Sequence, residues 1–187
     1  WNEGEDFITL AGEGATDAPK ADLFEDFSCS YCAELEVETG ESMLEALKAG
    51  EIAVDLRPMV FLDGQQQAYT PGHSTASASA MLALFAHGET APALNLRYYL
   101  FENQEDVYKK LETADLADLA ADYGASDAAL QDIRDEKYAE TAKKMSDDNL
   151  KLQEERAGEA WTPRVMLDEK DIDGDVGQWV ETLKASK

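Results

Sequence analysis

Cys29 and Cys32 are the only cysteines among 187 residues, and they stand three positions apart where a strand pattern gives way to helix formers. Residues 20–27 carry Leu23, Phe24 and Phe27 as strand chemistry, and residues 33–47 read as a helix, interrupted only near Thr39-Gly40. A sulfur at such a junction lies beside unpaired backbone N–H groups and the positive end of the helix dipole, which favours its thiolate. The thiolate is the nucleophile of disulfide exchange, and this placement can lower a thiol pKa from about 8.5 into the range of roughly 3.5 to 7.5. Cys32, one helical turn further on, is placed to attack a mixed disulfide on Cys29 and release the partner. Ser30 and Tyr31 fill the motif between them.

Two plainer readings compete. The pair can be inert buried thiols or a structural disulfide, but a C-x-x-C crosslink closes so small a loop that it removes little entropy from the unfolded chain. Half of a metal site is the other reading. Structural zinc usually takes four N or S ligands, and the only histidines are His73 and His87, so no metal is expected. A dithiol cycle also needs no nucleotide or flavin, and the expected cofactor is none.

Around this motif, strand patterns at residues 6–11, 20–27 and 51–61 precede a long helical stretch. Its helices are expected at residues 74–87, 94–103, 115–123, 127–134 and 137–156. Strand chemistry returns at residues 161–167 and 170–173, and residues 176–183 close the chain as a helix. The whole reads as one α/β domain over residues 1–187, with a helical insertion at about 72–158.

With 40 acidic against 16 basic side chains the formal net charge is -24, which repels nucleic acid and anionic membrane surfaces. Solubility explains the acidity most simply; steering of basic substrates is the sharper alternative. No apolar run approaches the roughly 20 residues of a membrane-spanning helix, and the first residues lack the pattern of a signal peptide. A start at Trp1 without Met suggests that a targeting or anchoring segment lies outside this chain.

The run Phe24-Glu25-Asp26-Phe27-Ser28-Cys29-Ser30-Tyr31-Cys32 resembles the active-site segment of DsbA-like thiol-disulfide oxidoreductases, above all the envelope-associated forms of actinobacteria. Arg57-Pro58-Met59-Val60-Phe61-Leu62-Asp63, Tyr99-Leu100-Phe101-Glu102-Asn103-Gln104 and Thr162-Pro163 extend the resemblance in the family's order; residues 105–158 match least clearly. It implies a thioredoxin-like fold, catalysis by Cys29 and Cys32, and an extracytoplasmic setting. The implied partners are reduced, unfolded exported proteins and a separate reoxidising protein. It also implies that Pro163 is cis and faces the cysteines, with Thr162 contacting substrate; taken alone, a trans proline opening an edge strand is the commoner state. Trp161, just before them, is a further candidate for substrate contact. A reductase or isomerase on the same fold, or a redox-inactive peptide-binding module, are the alternatives.

Ser30 and Tyr31 stand where family members commonly carry Pro and His, so the thiolate loses a cationic neighbour and a less oxidising couple is expected. Many thioredoxin-fold proteins place a buried carboxylate six residues before the first cysteine; that position is Leu23 here. Glu25 and Asp26 are the nearby candidates for tuning the thiols. Strand alternation sends them to opposite faces, so at most one approaches the pair, and solvent-facing charge is the plainer reading for both. His73 and His87 read as helix-end residues, and Tyr98, Tyr99 and Phe101 as core more than peptide groove.

Overall fold

In the computed structural model, which describes residues 1–186, the chain forms an α/β structure around one five-stranded sheet. Its strands are β1 (Ile8–Ala11), β2 (Lys20–Asp26), β3 (Ala53–Met59), β4 (Arg164–Leu167) and β5 (Lys170–Asp171), in the order β1-β3-β2-β4-β5. β2 and β3 run parallel at the centre, and β1, β4 and β5 join antiparallel. Every residue of β3 is buried, which is the mark of a strand covered on both faces.

The parallel β2–β3 pair requires a crossover, supplied by α1 (Ser30–Lys48). This helix begins three residues earlier than its helix formers suggest and continues through Gly40 without interruption. A Cβ at Gly40 would lie 2.5 Å from the Glu36 carboxylate. The glycine therefore makes room for a buried acidic side chain, at a cost of about 1 kcal/mol in helix propensity.

Between β3 and β4 lie six helices: α2 (His73–Ala86), α3 (Thr90–Glu102), α4 (Gln104–Val107), α5 (Thr113–Asp122), α6 (Asp127–Arg134) and α7 (Ala139–Ala157). The Ala- and Ser-rich α2 is buried along almost its whole length; small side chains on every face let α3, α5, α6 and α7 close around it. α3 starts four residues before the expected boundary because Pro92 falls in its first turn, where a missing N–H costs nothing. α8 (Trp179–Lys184) closes the described chain.

The sheet separates two environments. On one face Phe24, Met59 and Met166 pack with Leu150 and Leu152 of α7. Also on that side Arg57 binds Asp22 at 2.5 Å, Asp6 at 3.1 Å and Asn149 at 3.0 Å. Leu23, Val54, Leu56 and Val165 belong instead to the main core with α1 and α8. Leu23, six residues before Cys29, is thus an apolar core residue.

Candidate active site

Strand β2 ends at Asp26, the chain turns through Phe27 and Ser28, and Cys29 stands as the N-cap residue of α1 with extended backbone. The turn is tied at both ends: the Cys29 N–H donates to the Asp26 carbonyl at 2.9 Å, and the Cys29 carbonyl accepts from Cys32 and Ala33. Gln104 holds it from the insertion, its side-chain amide donating to the carbonyls of Phe27 at 2.7 Å and Cys29 at 3.0 Å. Phe27 stacks on Phe101 with ring centroids 4.8 Å apart.

The two sulfurs, both free thiols in this structure, have opposite tendencies. The Cys29 thiol is lowered to about 6, first by the Cys32 thiol donating to it, against the opposing effect of burial. The backbone N–H groups of Cys32 and Tyr31 add to this. The Cys32 thiol is pushed far up by burial, and the hydrogen bond to Cys29 acts in the same direction. At neutral pH, Cys29 is therefore mostly thiolate and Cys32 holds its proton.

Opposite the cysteines, the Thr162–Pro163 peptide bond is cis and the Thr162 carbonyl lies 3.3 Å from Cys29 Sγ. Pro163 and Cys32 share the wall of a cavity of about 10 Å³, close to the least space that one water needs. Trp161 is 37% exposed, with the guanidinium of buried Arg164 3.6 Å from its ring centroid. Tyr31 is 68% exposed and turns its ring away from the core.

Glu25 and Asp26 are both buried, which corrects the reading of either as solvent-facing charge. The reason lies in partners that only the fold supplies. Glu25 lines the small cavity with Cys32 and accepts two hydrogen bonds of 2.6 Å from Arg97. Arg97 also binds Glu36 at 2.6 Å, completing a buried Glu25–Arg97–Glu36 cluster beneath the active site. Burial raises the Glu36 carboxyl, with Arg97 opposing.

Asp26 faces the insertion. Its carboxylate accepts from the Ser28 N–H at 2.9 Å, the Leu62 N–H at 3.1 Å and the Ser74 hydroxyl at 2.5 Å. Burial nonetheless raises it to about 6. Asp26 thus joins the active-site turn, the segment after β3 and the start of α2.

Nothing adjacent in the sequence marks Arg97, Glu36 or Gln104 as part of the site. Arg97 lies within Leu94-Asn95-Leu96-Arg97-Tyr98-Tyr99-Leu100, where a lone charge in an apolar run was the available signal. His73 and His87 stand at the two ends of α2, the former buried and the latter 2.9 Å from Asp132. Phe101 is core, Tyr99 is partly buried and Tyr98 is exposed. Among the described residues no group of three or more His, Cys, Asp or Glu could hold a metal ion.

The thioredoxin family model matches residues 10–185. The MdbA protein of Corynebacterium diphtheriae, a thiol-disulfide oxidoreductase, superposes with a TM-score of 0.89 at 36% identity, over 95% of this chain and 89% of that one. The chain belongs to the thioredoxin family, among its DsbA-like thiol-disulfide oxidoreductases.

The MdbA protein of Corynebacterium matruchotii gives a TM-score of 0.87 at 33% identity, over 94% of this chain and 86% of that one. The reduced DsbA of Mycobacterium tuberculosis shares the fold, with a TM-score of 0.72 at 16% identity over 97% and 99% of the two chains. No curated protein sequence matches significantly. The thioredoxin-like fold expected from the sequence is thus the one observed, with α2 to α7 inserted between β3 and β4.

Proposed function

We propose that this oxidoreductase forms disulfide bonds in reduced, unfolded exported proteins outside the cytoplasm, with Cys29 as the sulfur that contacts substrate. The observation that carries the reading is the opposition between the two thiols, Cys29 lowered to about 6 and Cys32 raised. Stabilising the Cys29 thiolate stabilises the reduced enzyme, and a stabilised dithiol makes the disulfide form a stronger oxidant. A thiol pKa of about 6 lies between about 7 for thioredoxin and about 3.5 for the strongly oxidising DsbA. This fits an oxidase weaker than DsbA and a motif in which Tyr31 carries no cationic charge.

In the cycle, a substrate thiolate attacks Cys29 of the Cys29–Cys32 disulfide. The substrate–Cys29 bond forms as the S–S bond breaks, and Cys32 leaves with the electron pair and takes up a proton. A second substrate thiolate attacks the substrate sulfur, and Cys29 leaves as thiolate. The substrate has lost two electrons and the enzyme has gained them. A separate thiol-oxidising partner returns the enzyme to its disulfide.

Thr162 and Pro163 bound the site opposite Cys29 and serve as the backbone ledge for substrate, with Trp161 at its rim. Ser30 and Tyr31 tune and border the nucleophile. Glu25 is the carboxylate placed to influence the proton of Cys32, and Asp26 positions the turn. No helix of the described residues is long and apolar enough to cross a membrane.

The test is the refolding of a reduced, cysteine-containing protein by the oxidised enzyme, together with the enzyme's redox equilibrium against glutathione. Disulfide transfer to substrate with a potential between those of thioredoxin and DsbA supports the proposal. A potential at or below that of thioredoxin, with reduction of substrate disulfides, identifies a reductase instead.

A further inference from the structure

Two surface depressions lie on either side of the first turns of α1, the helix that Cys29 caps, and they share Glu34 and Glu38 as a common ridge. One continues past Glu102 and Glu105; the other runs along Thr162 and Pro163 to Asp175. All five carboxylates belong to exposed residues, and none takes part in a salt bridge among the described residues. No Lys, Arg or His lines either depression.

The same surface carries apolar side chains. Tyr31 is 68% exposed and Val37 60% exposed, one on each side of the Glu34–Glu38 ridge. The Trp161 ring is held in place from behind by Arg164, so it offers a preformed contact. An apolar floor rimmed by charge of one sign is what an extended polypeptide of opposite charge recognises, the charges acting mainly on encounter and the apolar contacts on residence.

We infer that the active-site groove selects unfolded segments in which the reactive cysteine is flanked by basic and apolar side chains, and disfavours acidic ones. The inference rests on the disulfide-exchange reading proposed above. It adds a substrate preference that acts locally, beyond the general negative charge of the molecule.

The test uses two synthetic peptides, each with one pair of cysteines and the same aromatic neighbour, differing only in four Lys or four Glu around the pair. Oxidation of each by the disulfide form of the enzyme is followed under single-turnover conditions at low salt. The basic peptide should react at least about tenfold faster, and the ratio should shrink toward unity at high salt. Glu34→Gln combined with Glu38→Gln should lower the ratio at least about threefold. Glu13→Gln combined with Asp17→Gln should leave it unchanged, because these exposed residues lie before β2, at the far end of that strand from Cys29.

Reading the ratio cancels any change in intrinsic reactivity or in the folded fraction. Equal rates for the two peptides would overturn the inference and leave the exchange reading standing. A ratio lowered equally by both pairs of substitutions would overturn it as well, assigning the effect to net charge. Oxidation of neither peptide would overturn the exchange reading and the inference with it.

Discussion

The sulfur of Cys29 lies 3.3 Å from the carbonyl oxygen of Thr162, a residue 133 positions away in the chain. That contact is made possible by the antiparallel pairing of β2 with β4, which sets Phe24 opposite Arg164 and so brings the residues after one strand to those before the other. Cys29 and the backbone facing it are delivered by adjacent strands of one sheet, and the groove between them is fixed by strand register.

The first prediction concerns the charge of Cys29. Thiolate absorbance of the reduced protein should show a transition near pH 6, which a Cys29→Ser variant lacks. The same shift makes the stability of the reduced form depend on pH. Its folded pKa lies below the unperturbed value of 9.0, so the stabilisation is complete above about 9 and is lost as pH falls through about 6. Between pH 4 and pH 7 the stability of the reduced form relative to the oxidised form should rise by roughly 1.4 kcal/mol, read from denaturant unfolding of both redox forms at each pH.

Asp26 should act in the opposite sense. Its folded pKa of about 6 lies above the ordinary 3.8, so stability associated with its proton is complete below about pH 4 and lost as pH rises through 6. The loss amounts to at most about 3 kcal/mol. Asp26→Asn should flatten that part of the stability profile, since a neutral amide has no charge to desolvate. A profile that keeps its slope between pH 4 and 6 in the variant would place the titration elsewhere.

Arg97 sits between two buried carboxylates, so Arg97→Met should cost about 3 to 5 kcal/mol, the usual consequence of leaving a buried charge unpaired. Combining it with Glu25→Gln and Glu36→Gln should recover much of that loss, because the triple variant buries no charge in the cluster. Urea unfolding of the single and triple variants measures both numbers.

Gln104 offers a milder case. Its amide is the shared donor for two carbonyls of the active-site turn, and Gln104→Ala should destabilise the protein by about 1 to 3 kcal/mol. The loosened turn should also raise the Cys29 thiol toward its ordinary value, which alkylation rates measured across pH would report.

The parts legible in the sequence were those carried by local chemistry. Strand, C-x-x-C and helix formers stand side by side in the chain, so the position of Cys29 at a helix start could be read without tertiary information. The insertion showed itself through the helical pattern between the third strand and Thr162. What stayed hidden depended on partners distant in sequence. Glu25 and Asp26 looked like solvated charge because nothing near them reveals Arg97, 72 positions away, or Ser74, 48 positions away. Gly40 read as a weak point of the helix, although it is the residue that admits Glu36 to the same buried cluster.

The central claim is that Cys29 alone makes the bond to substrate and that Cys32 is the sulfur displaced when this bond forms. Trapping decides this directly: reduced Cys32→Ser and Cys29→Ser variants are each incubated with a peptide disulfide, and covalent adducts are located by mass spectrometry. The account predicts a long-lived mixed disulfide on Cys29 in the first variant and essentially none in the second. An adduct on Cys32, or the absence of any adduct on Cys29, would contradict it.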